Sequence, residues 1–316
     1  MSKAQKQLTG EHGTILKTIW SHRQLYIFIA PIFILTIVFN YVPMFGIIMV
    51  FQDYDPINGF FGSNFVGTSN LVRLFSTPVF YTALRNTVVI SLLRLIVEFP
   101  MPILFALLIN ELRRARFKRV VQTISYLPHF ISWVIVAGIW YKMLSIDNGV
   151  INDLLLTFGF VKEPVYFMQE QKLFYPIIIL TSLWKGIGYG SIYYLAAIAG
   201  ADLELYDAAA IDGAGRLKQA LHITMPAMQN TIVLLLIYQI SGLMNAGFDQ
   251  LYTMGNIAVR EVGDILDTAV LRILLTGRIS DMPLGAAMGF FKSIIGICLF
   301  IGANFVSRMF KQESVV

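Results

Sequence analysis

The stretch LYDAAAIDGAGRLKQALHITMP, from Leu205 to Pro226, sets two acids around three consecutive alanines and two glycines, between two long apolar runs. Ala208, Ala209 and Ala210 leave a low surface that another backbone can approach, and Asp207 and Asp212 offer it anchoring charge. That is the chemistry of a protein contact, and a solvated loop with helical tendency is the competing reading of the same spacing. Asp202 is placed to cap a helix N-terminus, with Glu204 and Asp207 favourable in the first turns. Gly213 and Gly215 then punctuate, and Leu217, Ala220, Leu221 and Thr224 line one side of a second helical pattern that ends at Pro226. Two short helices joined at a glycine bend are expected, neither long enough to be stable alone in water.

A second group lies inside an apolar run, SLWKGIGYGSIYY. Trp184 supplies a flat face, Lys185 a cation, Tyr189, Tyr193 and Tyr194 hydroxyls, and Gly186 with Gly190 a spacing that admits a close helix. An aromatic plane with polar donors suits a sugar ring, and helix packing with an interfacial aromatic belt accounts for the same residues. Lys185 fits an acidic sugar or a pairing with Asp249. In a later apolar run Gln239, Ser241, Asn245 and Asp249 partly share a helix face and must point to protein or to a water-filled path. Arg94 and Glu98, four apart, can neutralise each other on one face. Arg85, Lys142 and Lys292 are within reach of span ends, and His129 after Pro128 reads as a packing residue.

Enzyme chemistry finds little support. His12, His22, His129 and His222 show no paired ligand spacing, so no metal site is expected. No nucleophile, base and orienter set is visible, so no catalytic residue is assigned. The chain has no Gly-x-x-x-x-Gly-Lys-Ser/Thr loop, and GIGYG lacks the flanking strand, turn and helix that phosphate binding needs. A polytopic glycosyl transferase using Asp207 and Asp212 is the rival from the enzyme class.

These groups must be positioned by helices in lipid. Of 316 residues 56% are hydrophobic and 14% charged, well below the ~25% charged of a soluble domain. Six runs, 25–51, 83–109, 123–144, 173–198, 229–248 and 284–306, meet the ~20-residue requirement for a membrane span. With six crossings both termini share a side, which holds thirteen of the Lys and Arg in the connections against six opposite. The termini are therefore expected in the cytoplasm. The same rule explains the basic knot from Arg113 to Arg119 without nucleic acid. The first run is too long for a signal-peptide core and reads as a retained span. Cys298, the one cysteine, reads as a small buried hydrophobe. The expected organisation is a cytoplasmic segment 1–24, a first helix with its outer connection 25–82, a core 83–308 containing the segment 202–226, and a tail 309–316.

Asp207, Ala208, Ala209, Gly213, Ile223, Met225 and Pro226 stand at the spacing of Glu-Ala-Ala, three residues, Gly, nine residues, Ile-x-Leu-Pro. The segment thereby resembles the signature of permease subunits of binding-protein-dependent ABC importers, with Asp for the usual Glu and Met225 where Leu is common. FQDYDPINGFFGSNFVG, LRNTVVISLLRL, INELRRARFKRVVQTISYLPHFISW, LAAIAGADLELYDAAAIDGAGR and FDQLY extend the likeness to the branch importing complex oligosaccharides. The resemblance implies an all-α membrane fold with a five-helix type I permease core and an extra N-terminal helix. It also implies a bacterial cytoplasmic membrane location, a second homologous permease, two ATPase subunits that carry ATP and Mg, and an extracytoplasmic sugar-binding protein. Leu205, Tyr206, Asp207, Ala208, Ala209, Asp212, Gly213 and Ala214 are implied to dock in an ATPase cleft. Likeness to maltose-type permeases puts Trp184, Gly186 and Tyr189 first along the substrate path, with Lys185, Tyr193, Gln239, Asn245 and Asp249. An importer for a non-sugar solute shares the docking segment.

Overall fold

The computed structural model describes residues 20–275 and 279–309. Expectations for residues 1–19, Arg278 and 310–316 lie outside them.

Helix α1, Arg23–Phe51, is apolar throughout, and its Arg23–Thr36 part buries no residue. Only its far end joins the core: Val50 packs with Leu74, Phe80, Leu266 and Met288. A two-residue strand pair follows, Gln52 opposite Phe65 and Asp53 opposite Asn64. Helix α2, Pro78–Asn110, begins five residues earlier than the expected 83 because Pro78 is suited to a first helical turn. The third span is two helices, α3 (Ala115–Phe130) and α4 (Trp133–Met143), bent by 102°. A short helix α5, Val150–Thr157, leads to α6, Gln171–Ala199, a single helix of 29 residues. After the elbow helix α7, Leu203–Ile211, come α8 (Arg216–Ser241), α9 (Phe248–Met254), α10 (Leu266–Leu275) and α11 (Met282–Met309).

Among the described residues four helices and the bent pair are long and apolar enough to cross a membrane by themselves. α6 has the length, about 43 Å at ~1.5 Å per residue, but its tyrosines, glycines and Lys185 dilute it. It is enclosed by protein along much of its length: Phe174 and Ile178 pack with Ile90 and Leu251, and Tyr194 and Ile198 pack with Ile103 and Met228. A helix surrounded by other helices need not be apolar on every face.

Three prolines shape these helices in the same way. Wide π-turns occupy Ile37–Tyr41, Arg94–Glu98 and Ala220–Thr224, each ending two residues before a proline, Pro43, Pro100 and Pro226. A proline ring clashes with the carbonyl four residues back and offers no N–H to it. Widening the preceding turn moves that carbonyl aside and lets the helix continue. The segment expected as a second short helix is consequently the start of α8 itself, running unbroken from Arg216 into the fifth span.

The fifth span ends at Ser241, not at the expected 248. A single 3-10 turn, Leu243–Asn245, is followed by two residues in the left-handed region, Ala246 at φ 43 and Gly247 at φ 81. Cys298 is exposed, not buried as expected, on a side of α11 with exposed Ile294, Ile297 and Ile301. Arg85 donates to the Glu261 carbonyl, and Lys292 bonds Asp267 at 2.7 Å, so both are held by the connection between the fifth and sixth spans.

The closest helix approach falls at neither expected glycine. Gly186 has open space, and a Cβ on Gly190 would stand 3.1 Å from the Pro102 ring. At Gly188 a Cβ would overlap the Ser125 carbonyl, which is backbone and cannot swing away. Gly188→Ala is therefore expected to force α3 and α6 apart at a cost of about 1–3 kcal/mol. A lowered unfolding midpoint of the detergent-purified protein checks this, and an unchanged midpoint would show that the two spans part freely.

Candidate functional site

The elbow is built from local rules. Asp202 accepts from the Glu204 amide at 2.9 Å and starts α7 as expected. At the other end the Ala214 amide donates to the Ala209 carbonyl at 2.8 Å and the Gly213 amide to the Ala210 carbonyl at 3.1 Å. This pairing turns the chain out of a helix through a residue in the left-handed region, here Gly213 at φ +74. The alanines allow a short helix, the glycine ends it, and the outer side stays apolar: Leu203, Leu205, Leu217 and Ile211, the last 87% exposed. Asp207, Ala208 and Asp212 are exposed with them, while Ala209 and Ala214 are half-buried.

Inside the elbow, Tyr206 Oη lies 2.9 Å from Thr224 Oγ1. Gln219 Nε2 donates to the Ala214 carbonyl at 3.1 Å, and Arg216 faces Glu111 at 3.4 Å, just past the end of α2. The elbow is thus tied to the bases of two spans.

Deeper in the molecule the bend of the third span exposes the carbonyls that end α3. Lys185 Nζ donates to His129 O at 2.6 Å and Pro128 O at 3.3 Å, with the Trp133 ring 5.6 Å away. Ser132 accepts from the Ile135 amide and caps α4. The bent pair is held by α6, not by a hydrogen-bond ladder of its own.

Three adjoining clefts run from this bend. The first, ≈ 720 Å³, is lined by His129, Trp133, Ser182, Lys185, Gly186, Asp249 and Tyr252. The second, ≈ 290 Å³, shares Ser182 and Gly186 and adds Glu98, Tyr193, Tyr238 and Gln239. The third, ≈ 420 Å³, shares Tyr238 and Gln239 and adds Ser91, Arg94, Ser241, Asn245 and Gly247. Together they form one polar and aromatic face on spans that otherwise present apolar side chains. Such a face is costly against lipid and belongs against protein or water.

From its lining residues Glu98, Ser182 and Arg94 a polar network runs into the protein. Arg94 pairs with Glu98 at 3.9 Å, as the spacing predicts, and bonds Gln250. Glu98 accepts from Ser182 at 3.0 Å, and Gln250 donates to Ile178 O and Thr181 Oγ1, both at 2.7 Å. The Arg94 guanidinium occupies the space where Gly247 would carry a Cβ. Spans two and four are so joined to the break after span five.

Residues 98–312, which include the elbow, the bend and most of the polar face, match the family described as binding-protein-dependent transport system inner membrane component. The chain belongs to this permease family. It is 43% identical to the polygalacturonan/rhamnogalacturonan transport system permease protein of Bacillus subtilis over 93% of this chain and 90% of that one. With the arabinooligosaccharides transport system permease protein of the same organism it shares 31% over 91% of this chain and 90% of the other. The fold is similar to a chain of a bacterial ABC transporter involved in import of the acidic polysaccharide alginate. That likeness has TM-score 0.85, 36% identity, and covers 94% of this chain and 99% of that one.

Within this permease six of the eight residues anticipated for a substrate path line the three clefts. Lys185, Gly186 and Asp249 line the first cleft, Tyr193 and Gln239 the second, and Asn245 the third. Tyr189 stacks flat on His129, ring centroids 3.7 Å apart, and so supports the first cleft from behind. Trp184, like Tyr189, lines none of the three clefts; it is 40% exposed with its ring edge-on to Trp140. Gln239 and Asn245 meet across the broken end of α8, not along one helix face. Lys185 does not pair with Asp249; its ammonium goes to the carbonyls that end α3.

Sequence reasoning missed Trp133, Tyr238, Tyr252 and Ser182. Tyr238 is 76% exposed beside Gln239, and a tyrosine next to a span amide was the available signal. Trp133 enters the face only because the chain bends at Ser132, for which Pro128 was the one local hint.

Proposed function

We propose that this chain is the membrane subunit of an ATP-driven importer that moves an oligosaccharide across the bacterial cytoplasmic membrane by alternating access. One observation carries the reading: an exposed, apolar-tipped elbow hydrogen-bonded to the base of a span, on a chain whose spans share a continuous polar and aromatic face. The exposed side of the elbow, with Leu205, Asp207, Ala208, Ile211 and Asp212, receives an ATPase subunit of the complex. The polar face, with Lys185, Tyr193, Gln239, Asn245 and Asp249, faces a second permease subunit, and the sugar passes between the two. ATP and Mg are held by two ATPase subunits, and a sugar-binding protein delivers cargo on the outside. Both termini lie in the cytoplasm, which follows from the excess of Lys and Arg on that side.

Relatives named for polygalacturonan/rhamnogalacturonan and arabinooligosaccharide transport support a sugar cargo over an amino acid or an ion. Aromatic rings among amides and hydroxyls suit the apolar and polar faces of sugar rings. The test is purification with the products of neighbouring genes and reconstitution in proteoliposomes. ATP-dependent accumulation of a galacturonate or arabinose oligosaccharide, requiring the binding protein, is expected. A chain that purifies without an ATPase and turns over a substrate by itself overturns the reading.

A further inference from the structure

We infer that Tyr206 and Thr224 form an internal splint that stiffens the elbow, and that Tyr206 serves transmission instead of touching the ATPase. The inference rests on the reading that an ATPase drives the elbow, and it assigns what the elbow needs to pass that motion on.

The weak point of the elbow is the π-turn Ala220–Thr224 at the base of α8. Pro226 has no N–H to offer the carbonyl four residues earlier, so the helix is loosest where a push from α7 arrives. A push carried by backbone alone would be taken up in that turn. The structure bridges it with side chains. Tyr206 Oη meets Thr224 Oγ1 at 2.9 Å, and Thr224 Oγ1 donates to the Gln219 carbonyl at 3.4 Å, at the entrance of the same turn. Thr224 is 2% exposed, so this bond has little competition from water. A hydroxyl so engaged points away from the outer side, where Leu203, Leu205 and Ile211 stand free.

The second tie does not carry this role. Arg216 and Glu111 are 51% and 38% exposed, and an ion pair as wet as that holds weakly. It provides the control.

The experiment uses the full complex in proteoliposomes with a labelled galacturonate trisaccharide, measuring sugar taken up per ATP hydrolysed. Tyr206→Phe removes only the hydroxyl. It is expected to keep ATPase capture and binding-protein-stimulated hydrolysis while uptake per ATP falls about two- to tenfold, the range one lost hydrogen bond commands. Thr224→Val should reproduce the loss, Thr224→Ser should restore most of the ratio, and Glu111→Gln should leave it near the parent value. A parental ratio in Tyr206→Phe overturns the splint, as does loss of ATPase capture in that variant, which would make Tyr206 a docking residue. A wild-type complex that captures no ATPase overturns the underlying reading instead, and the splint with it.

Discussion

Gly213→Val is expected to abolish ATPase capture and cut uptake at least about tenfold, while Gly213→Asn keeps most of both. Gly213 sits at φ +74, and a Cβ there would meet nothing within 4 Å. The effect is therefore one of backbone conformation and not of crowding. An L-residue in the left-handed region costs roughly 1–2 kcal/mol, more for a β-branched side chain. Relief requires opening the bonds from the Ala214 and Gly213 amides to Ala209 and Ala210. The chain then leaves α7 in another direction, and the exposed tip at Leu205 and Ile211 is no longer presented as one surface. About 1.4 kcal/mol corresponds to a factor of ten in an equilibrium. Asparagine tolerates the left-handed region, so its retention of activity separates conformation from side-chain chemistry. Equal membrane levels of both variants by immunoblot are part of the result. Full capture and uptake in the valine variant would show that the elbow docks without this exit.

The largest stability loss is expected from Glu98→Ala. Arg94 and Glu98 side chains are 13% and 17% exposed, and Glu98 is the acid paired with the Arg94 guanidinium. Removing it leaves a buried cation uncompensated, a change that costs about 3–5 kcal/mol. Because Arg94 also holds Gln250 and fills the space beside Gly247, the break after α8 should loosen with it. The double replacement Arg94→Met with Glu98→Met removes both charges and should recover much of the loss, though Gln250 then lacks a donor to its oxygen. Unfolding midpoints and yields of the purified complex check the order parent, double, single. A single variant as stable as the parent would mean that the guanidinium reaches water.

These two cases mark how far sequence reasoning extends. The Gly213 exit and the Asp202 cap are decided within one or two helical turns, and so they are readable from residue type and spacing. The Arg94 and Glu98 pair is likewise an i, i+4 relation on one face. Spans were readable because lipid demands ~20 apolar residues wherever a helix crosses it. That demand slackens for α6, which is shielded by protein and so keeps Lys185 and its tyrosines within the span.

Other features depend on partners far along the chain. The fifth span looked continuous to 248, yet it ends at Ser241 because the following turn wraps the guanidinium of Arg94 and is pinned by Gln250, 156 positions from it. Lys185, which by residue type suited an acidic sugar or Asp249, bonds the carbonyls of Pro128 and His129 that the bend of the third span exposes. Trp184 and Lys185 are neighbours in sequence but point to different surroundings on α6, one toward Trp140 and the other toward Trp133.

By itself, then, the sequence determined that this is a multi-span helical membrane protein with a capped, glycine-terminated elbow, since lipid solvation and backbone geometry act over short stretches. Only the tertiary structure decided which polar side chains share the face between Trp133 and Asn245, where the fifth helix stops, and that Tyr206 turns inward to Thr224. Those outcomes follow from burial and hydrogen bonding between segments distant in the chain, and no local pattern encodes which of several polar groups will find a partner.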